Sequence, residues 1–145
     1  MLTILLVSQI TLSLATPGSV SVSLSKTANW SIALEVRNKS RIAVEIWNAG
    51  FWPNHRWKLV DSVGTPVPLT SLGEAGARRF GAPNRDKNVR ILLAPGKKFR
   101  YSTPPINLAF KLKPGTFQLS IVYRDTSNSK PLEVSSKPIR VVVGR

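Results

Sequence analysis

Very few side chains in this sequence are of the kinds that do covalent chemistry. Among 145 residues there is one histidine, His55, no cysteine, and only seven aspartates and glutamates. Without cysteine there can be no thiolate metal centre, thiol nucleophile or disulfide scaffold. One histidine excludes a His-rich zinc site, and so few carboxylates leave little to hold calcium or magnesium. The sequence therefore predicts no metal and no cofactor. A catalytic histidine needs both a nucleophile and an orienting acid, so His55 reads as a loop histidine without a role. No G-x-S-x-G elbow, phosphate-binding glycine loop or H-E-x-x-H is present. The chain reads as non-enzymatic.

Two groups of residues are candidates for binding. The first is aromatic: Trp47, Phe51, Trp52 and Trp57 fall within eleven positions. Trp57 fits the inward face of its strand and belongs to the core. Trp47 follows an inward Ile46, so it points outward or caps one end of the fold. Phe51 and Trp52 sit between Gly50 and Pro53 in a predicted loop. There they act as an interaction site, either a protein hot spot or a sugar platform, or they plug the open end of the core.

The second group is basic. Twenty-one Lys and Arg against seven acids give a formal net charge of +14, which favours anionic partners or simply keeps the surface solvated. Arg78, Arg79 and Arg85, with Lys87, Arg90, Lys97, Lys98 and Arg100, span a loop and two strands expected to be neighbours. From these Arg78, Arg79, Arg85, Lys98 and Arg100 are the candidate anion-binding set, able to contact phosphate or sulfate without reading sequence. Phe99 and Tyr101 alternate away from Lys98 and Arg100, so the stacking platform of a single-strand nucleic-acid binder is not formed. Nonspecific attraction to polyanions or an anionic lipid surface is the expectation, without sequence-specific nucleic-acid binding. Asn29 and Asn38 each open an N-x-S triplet that matches the N-glycosylation pattern.

The elements that carry these residues are short and have a period of two. Val20, Val22 and Leu24 alternate with serines, and Trp30, Ile32, Leu34 and Val36 alternate with polar or small residues. Ile42, Val44 and Ile46 resume after Asn38-Lys39-Ser40, so these two strands are expected to form a hairpin or else to divide between opposing sheets. His55 to Asp61 forms a further strand, and Val67, Leu69 and Thr70 a brief return. Ser71 to Lys87 reads as a long loop, because Gly73, Gly76 and Gly81 allow at most one helical coil. Strands follow at Val89–Leu93, ending in an Ala-Pro-Gly turn, at Phe99–Tyr101, and at Phe117–Tyr123. Asp125 to Lys130 reads as a polar loop. Leu132 and Val134 then open a last hairpin completed by Ile139, Val141 and Val143.

No ten-residue segment shows a helical period. The pattern predicts an all-β protein, an antiparallel immunoglobulin-like β-sandwich of seven to nine strands. A small oligonucleotide-binding-type barrel is the alternative, disfavoured by the strand count. At the amino terminus, Met1 to Ala15 is apolar and uncharged, with Ser13 and Ala15 at cleavage-site spacing. It reads as a signal peptide ahead of a single domain spanning 16–145, or as a buried first strand. It is too short to span a membrane.

Three pieces carry a family resemblance: Asn38-Lys-Ser-x-Ile-x-Val44, Leu112-Lys-Pro-Gly-Thr-Phe-Gln-Leu-Ser-Ile-Val-Tyr123 and Ser136-Lys-Pro-Ile-x-Val-x-Val143. They resemble secreted bacterial Ig-like sandwich modules, and also the intracellular proteinase-inhibitor sandwiches of bacilli. They cover about a quarter of the chain and specify turns and strand edges, so the resemblance implies a fold and transfers no site residue. The expected function is a non-catalytic structural or protein-interaction module, secreted or periplasmic, with a protein partner that the sequence does not identify. The alternative is an inhibitor of an extracellular hydrolase or protease that presents Asn48–Asn54 or Ser71–Lys87.

Overall fold

A computed structural model of the chain describes residues 10–25, 30–47, 50–81, 90–125 and 132–145. Asn29, Arg85, Lys87 and Val89 lie outside those ranges, as does most of the leader-like segment. In chain order the first elements are β1 (Leu12–Ala15), β2 (Ser19–Ser23), β3 (Ala33–Asn38), β4 (Val44–Trp47), α1 (Phe51–Asn54) and β5 (His55–Val60). After them come α2 (Ser71–Ala77), β6 (Arg90–Leu93), β7 (Lys98–Ser102), α3 (Ile106–Ala109), β8 (Gly115–Asp125), β9 (Leu132–Ser135) and β10 (Ile139–Gly144).

The result is a mostly β, sandwich-like arrangement of sheets. One sheet has the order β1-β3-β7, and a larger one runs β2-β10-β8-β5 with β9 also on β8. A two-stranded ribbon, β4-β6, lies beside them. Period-two alternation builds the interior, since every second residue of a strand faces the same way. On β8 it buries Phe117, Leu119, Ile121 and Tyr123, and on β10 Ile139, Val141 and Val143. These join Leu34 and Val36 of β3 and Trp57 and Leu59 of β5 in one apolar cluster. Each such side chain contributes roughly 1.5–3 kcal/mol by leaving water.

Several connections differ from expectation, each for a local reason. β3 and β4 do not form a hairpin. β3 pairs with β1 and β7, while β4 pairs only with β6. Asn38 turns this corner. It is fully buried, its Nδ2 donates to the carbonyls of Ile42 and Leu93 at 2.8 and 2.9 Å, and its Oδ1 accepts from the Ser40 N–H at 2.8 Å. A side chain thus supplies the bonds that a ladder would have made. Ile42, expected inward, is exposed on this bend. Consecutive β6 and β7 are likewise not neighbours, although the Ala94-Pro95-Gly96 turn between them forms as read, with Gly96 at φ 77°.

β9 and β10 do not pair with each other either. Both lie along one edge of β8, β9 at Val122–Asp125 and β10 at Gly115–Leu119. The register slips by one residue between them, a bulge at residues 136–138. The slip turns both Val134 and Ile139 toward the interior despite their odd spacing. Ser136 anchors it, donating its N–H to the Ile121 carbonyl at 2.8 Å.

Ten strands are seen among the described residues rather than seven to nine, and β2 runs parallel to β10. The segment expected to be a long loop contains α2. Its glycines are close-packing points: a Cβ on Gly73 would overlap the Ala109 carbonyl of α3, and one on Gly76 would overlap the Trp52 ring. Thr70 caps the helix by accepting the Gly73 N–H at 3.0 Å.

Candidate functional site

His55 is the side chain most able to do chemistry, and the fold uses it to join two sheets. It opens β5 directly after α1 rather than sitting in a loop, and it is 2% exposed. Gly50, at φ 96°, brings the chain into the single turn of α1, and Phe51 then stacks on the imidazole at 4.6 Å and 8°. The ring nitrogen Nδ1 lies 2.8 Å from the Phe51 carbonyl, and Nε2 lies 2.5 Å from the Tyr101 hydroxyl on β7. A carbonyl only accepts, so Nδ1 carries the proton and Nε2 accepts from the tyrosine. Burial in this aromatic setting pushes the imidazole down to about 4, opposed by the bond to Phe51, and pushes the Tyr101 hydroxyl up. At neutral pH both groups are uncharged.

A second polar tie lies nearby. Tyr123 of β8 meets His55 at 5.3 Å between rings and donates its hydroxyl to Asp125 Oδ2 at 2.7 Å. The same carboxylate oxygen accepts the Trp47 backbone N–H at 2.7 Å, linking β4 to the end of β8. Asp125, read from sequence as the start of a polar loop, is fully buried and ends β8. Its parity with Phe117, Leu119, Ile121 and Tyr123 was the signal that places it inward. Burial foremost, and then the Asp125 charge, raise the Tyr123 hydroxyl far above its ordinary value.

The aromatic candidates are largely packed away. Phe51 is buried, and Trp57 sits in the core as expected, 8% exposed. Trp52, half-buried, meets Trp57 edge-on at 5.6 Å and lies against the bare Cα of Gly76. Trp47 is half-buried, with the Arg90 guanidinium over its ring at 5.2 Å. The segment read as an aromatic loop is, over residues 51–54, a helical turn at the start of β5.

The structure divides the basic candidates between two places. Lys98 and Arg100 lie on β7 and, with Arg37, converge on Glu35 at 3.7, 3.0 and 3.5 Å. The hydrogen bond from Arg100 leads in holding the partly buried Glu35 carboxyl below its ordinary range. Arg78 and Arg79 follow α2 on the other side, where the next residue, Phe80, lies under the Arg56 guanidinium at 5.5 Å. Arg85 is outside the described residues. Buried Asn38 has its amide engaged twice, so the folded chain does not offer it as a glycan acceptor.

Among the described residues no three His, Asp or Glu side chains gather to hold a metal, and no helix is long and apolar enough to cross a membrane. No protein-family model and no curated protein matches the sequence. Two solved structures show a distant, partial resemblance to the fold. One is AggA, the major subunit of aggregative adherence fimbriae type I from Escherichia coli. It is 16% identical over 93% of this chain and 95% of that one, with a TM-score of 0.39. The other is a CARDB domain from Pyrococcus furiosus solved in complex with di-metal ions, 13% identical over 99% and 100%, with a TM-score of 0.35. Scores this low transfer no partner, metal or activity to this chain.

Proposed function

We propose that this chain is a non-catalytic structural or interaction module of the cell envelope or extracellular space, built on an immunoglobulin-like sandwich. One observation carries the reading. The side chains with chemical potential, His55, Tyr101, Tyr123 and Asp125, are spent joining elements inside the fold. A histidine so enclosed presents no lone pair to a substrate. The apolar, uncharged character of Met1–Ala15 is what speaks for export, while its last four residues form β1 on β3, as the buried-first-strand alternative expects. Of the segments the inhibitor alternative would present, Phe51 and Asn54 are buried in α1 and residues 71–77 form α2, while residues 48–49 and 82–87 lie outside the described residues. An inhibitory segment must instead stand clear of its scaffold.

Fractionation of native cells with an intact-mass measurement tests this reading. The expected product is a folded protein outside the cytoplasm. A cytoplasmic protein that keeps Met1 would overturn the location. The mass also bears on the fold, since a mature chain beginning at Thr16 lacks β1, whose Leu14 is buried against β3.

A further inference from the structure

The outer face of the β2-β10-β8-β5 sheet presents cations and hydroxyls together. Strand registers fix which side chains share it. Lys58 stands opposite Ser120, Arg56 opposite Val122, and Arg140 opposite both Gln118 and Ser19. Ser21 and Thr116 flank Val142 on the same face. Neighbouring residues on one face of a strand are about 7 Å apart and adjacent strands about 4.8 Å apart. Arg56 and Lys58 therefore form a pair on β5, and Arg140 stands about 10 Å across the sheet from that strand. The Arg56–Phe80 contact brings Arg78 and Arg79 to the margin beside β5.

This face differs from the opposite one in a way that net charge alone does not convey. On β3 and β7, Arg37, Lys98 and Arg100 share Glu35. Arg56, Lys58, Arg78, Arg79 and Arg140 form no ion pair with any described residue, and Lys58 and Arg140 are exposed.

We propose that this sheet face binds an anionic polysaccharide, with Arg56, Lys58 and Arg140 holding its charged groups and Gln118, Ser120, Thr116 and Ser21 its hydroxyls. Charge complementarity selects an anion, and the rest of the surface selects its kind. The large exposed apolar residues, Leu24, Ile42, Val63, Leu72, Leu92 and Leu108, all lie outside β2, β5, β8 and β10, so these strands carry no large exposed apolar side chain to insert into a lipid layer. Phe80, at the margin of this face, has one ring face taken by Arg56, and the strands themselves carry no aromatic side chain there on which successive bases could stack. Hydroxyl, amide and guanidinium groups set around half-buried Val122 and Val142, with the acidic Glu133 only at the β9 margin, suit a hydroxyl-rich polyanion. The proposal goes beyond the module reading above and does not depend on where the protein resides.

The test is binding of the full chain to heparin, a sulfated polysaccharide, at low salt. The triple variant R56Q/K58Q/R140Q is compared with R37Q/K98Q/R100Q, which removes the same charge from the other face. The expected result is a loss of about tenfold or more for the first and about twofold or less for the second. Equal losses would reduce the effect to overall charge and overturn the site. The single variant Lys58→Gln, at an exposed position with no described hydrogen-bond partner, repeats the comparison without disturbing Arg56 on Phe80. Anionic phospholipid vesicles and duplex DNA run in parallel, and tighter binding to either than to heparin would overturn the assigned partner.

Discussion

The His55 imidazole must lose its proton to enter the fold, and this sets a pH dependence at the scale of one residue. Its folded value of about 4 lies below the ordinary 6.5 because burial disfavours the cation. Between those values the unfolded chain binds a proton that the folded chain does not, so stability falls as pH drops through the window and is complete above it. The shift corresponds to about 3 kcal/mol. Denaturation of the wild type and His55→Gln at pH 7 and pH 4 should show the stability difference between them shrinking by about that amount. A difference that stays constant would mean the imidazole is not enclosed. The sequence showed that His55 lacked catalytic company but did not show its position, because Gly50 and Pro53 next to it speak for a loop. Asp125 was legible only through the parity of β8, and the polar run after it concealed that.

At the scale of elements, α2 rests on contacts that have no side chain on one side. Gly73 sits on the α3 backbone and Gly76 on Trp52. Gly76→Ala would gain roughly 1 kcal/mol of helix propensity in isolation, yet the added methyl must displace a packed indole. Both Gly73→Ala and Gly76→Ala are expected to lower the thermal midpoint, and Gly73→Ala by more because a backbone carbonyl cannot rotate aside. A midpoint raised by either would show that the helix does not approach this closely. The sequence counted these glycines against a helix, since propensity records the cost of a glycine and not the contact it permits. The strands were far easier to read. Alternation at Phe117–Tyr123 and Ile139–Val143 gave both the elements and their inward faces, and the parity change from Val134 to Ile139 already encoded the bulge. Strand partners were not legible, because pairing β3 with β7 and β4 with β6 depends on the buried amide of Asn38, and a turn-former in sequence looks the same whether exposed or buried.

Across the whole molecule, the aromatic and polar clusters hold the sandwich together, and binding falls to its outer surfaces. What the sequence left open was whether Trp52 plugs the fold or offers itself to a partner. In the structure it bridges three elements, touching Phe51 of α1, Trp57 of β5 and Gly76 of α2. Urea denaturation of Trp52→Ala tests the claim most directly. A loss of about 3 kcal/mol is expected, at the low end for a large aromatic because part of the ring stays in solvent, with heparin affinity unchanged. A change in stability within about 0.5 kcal/mol, the range of ordinary surface substitutions, would contradict it and return Trp52 to the binding surface.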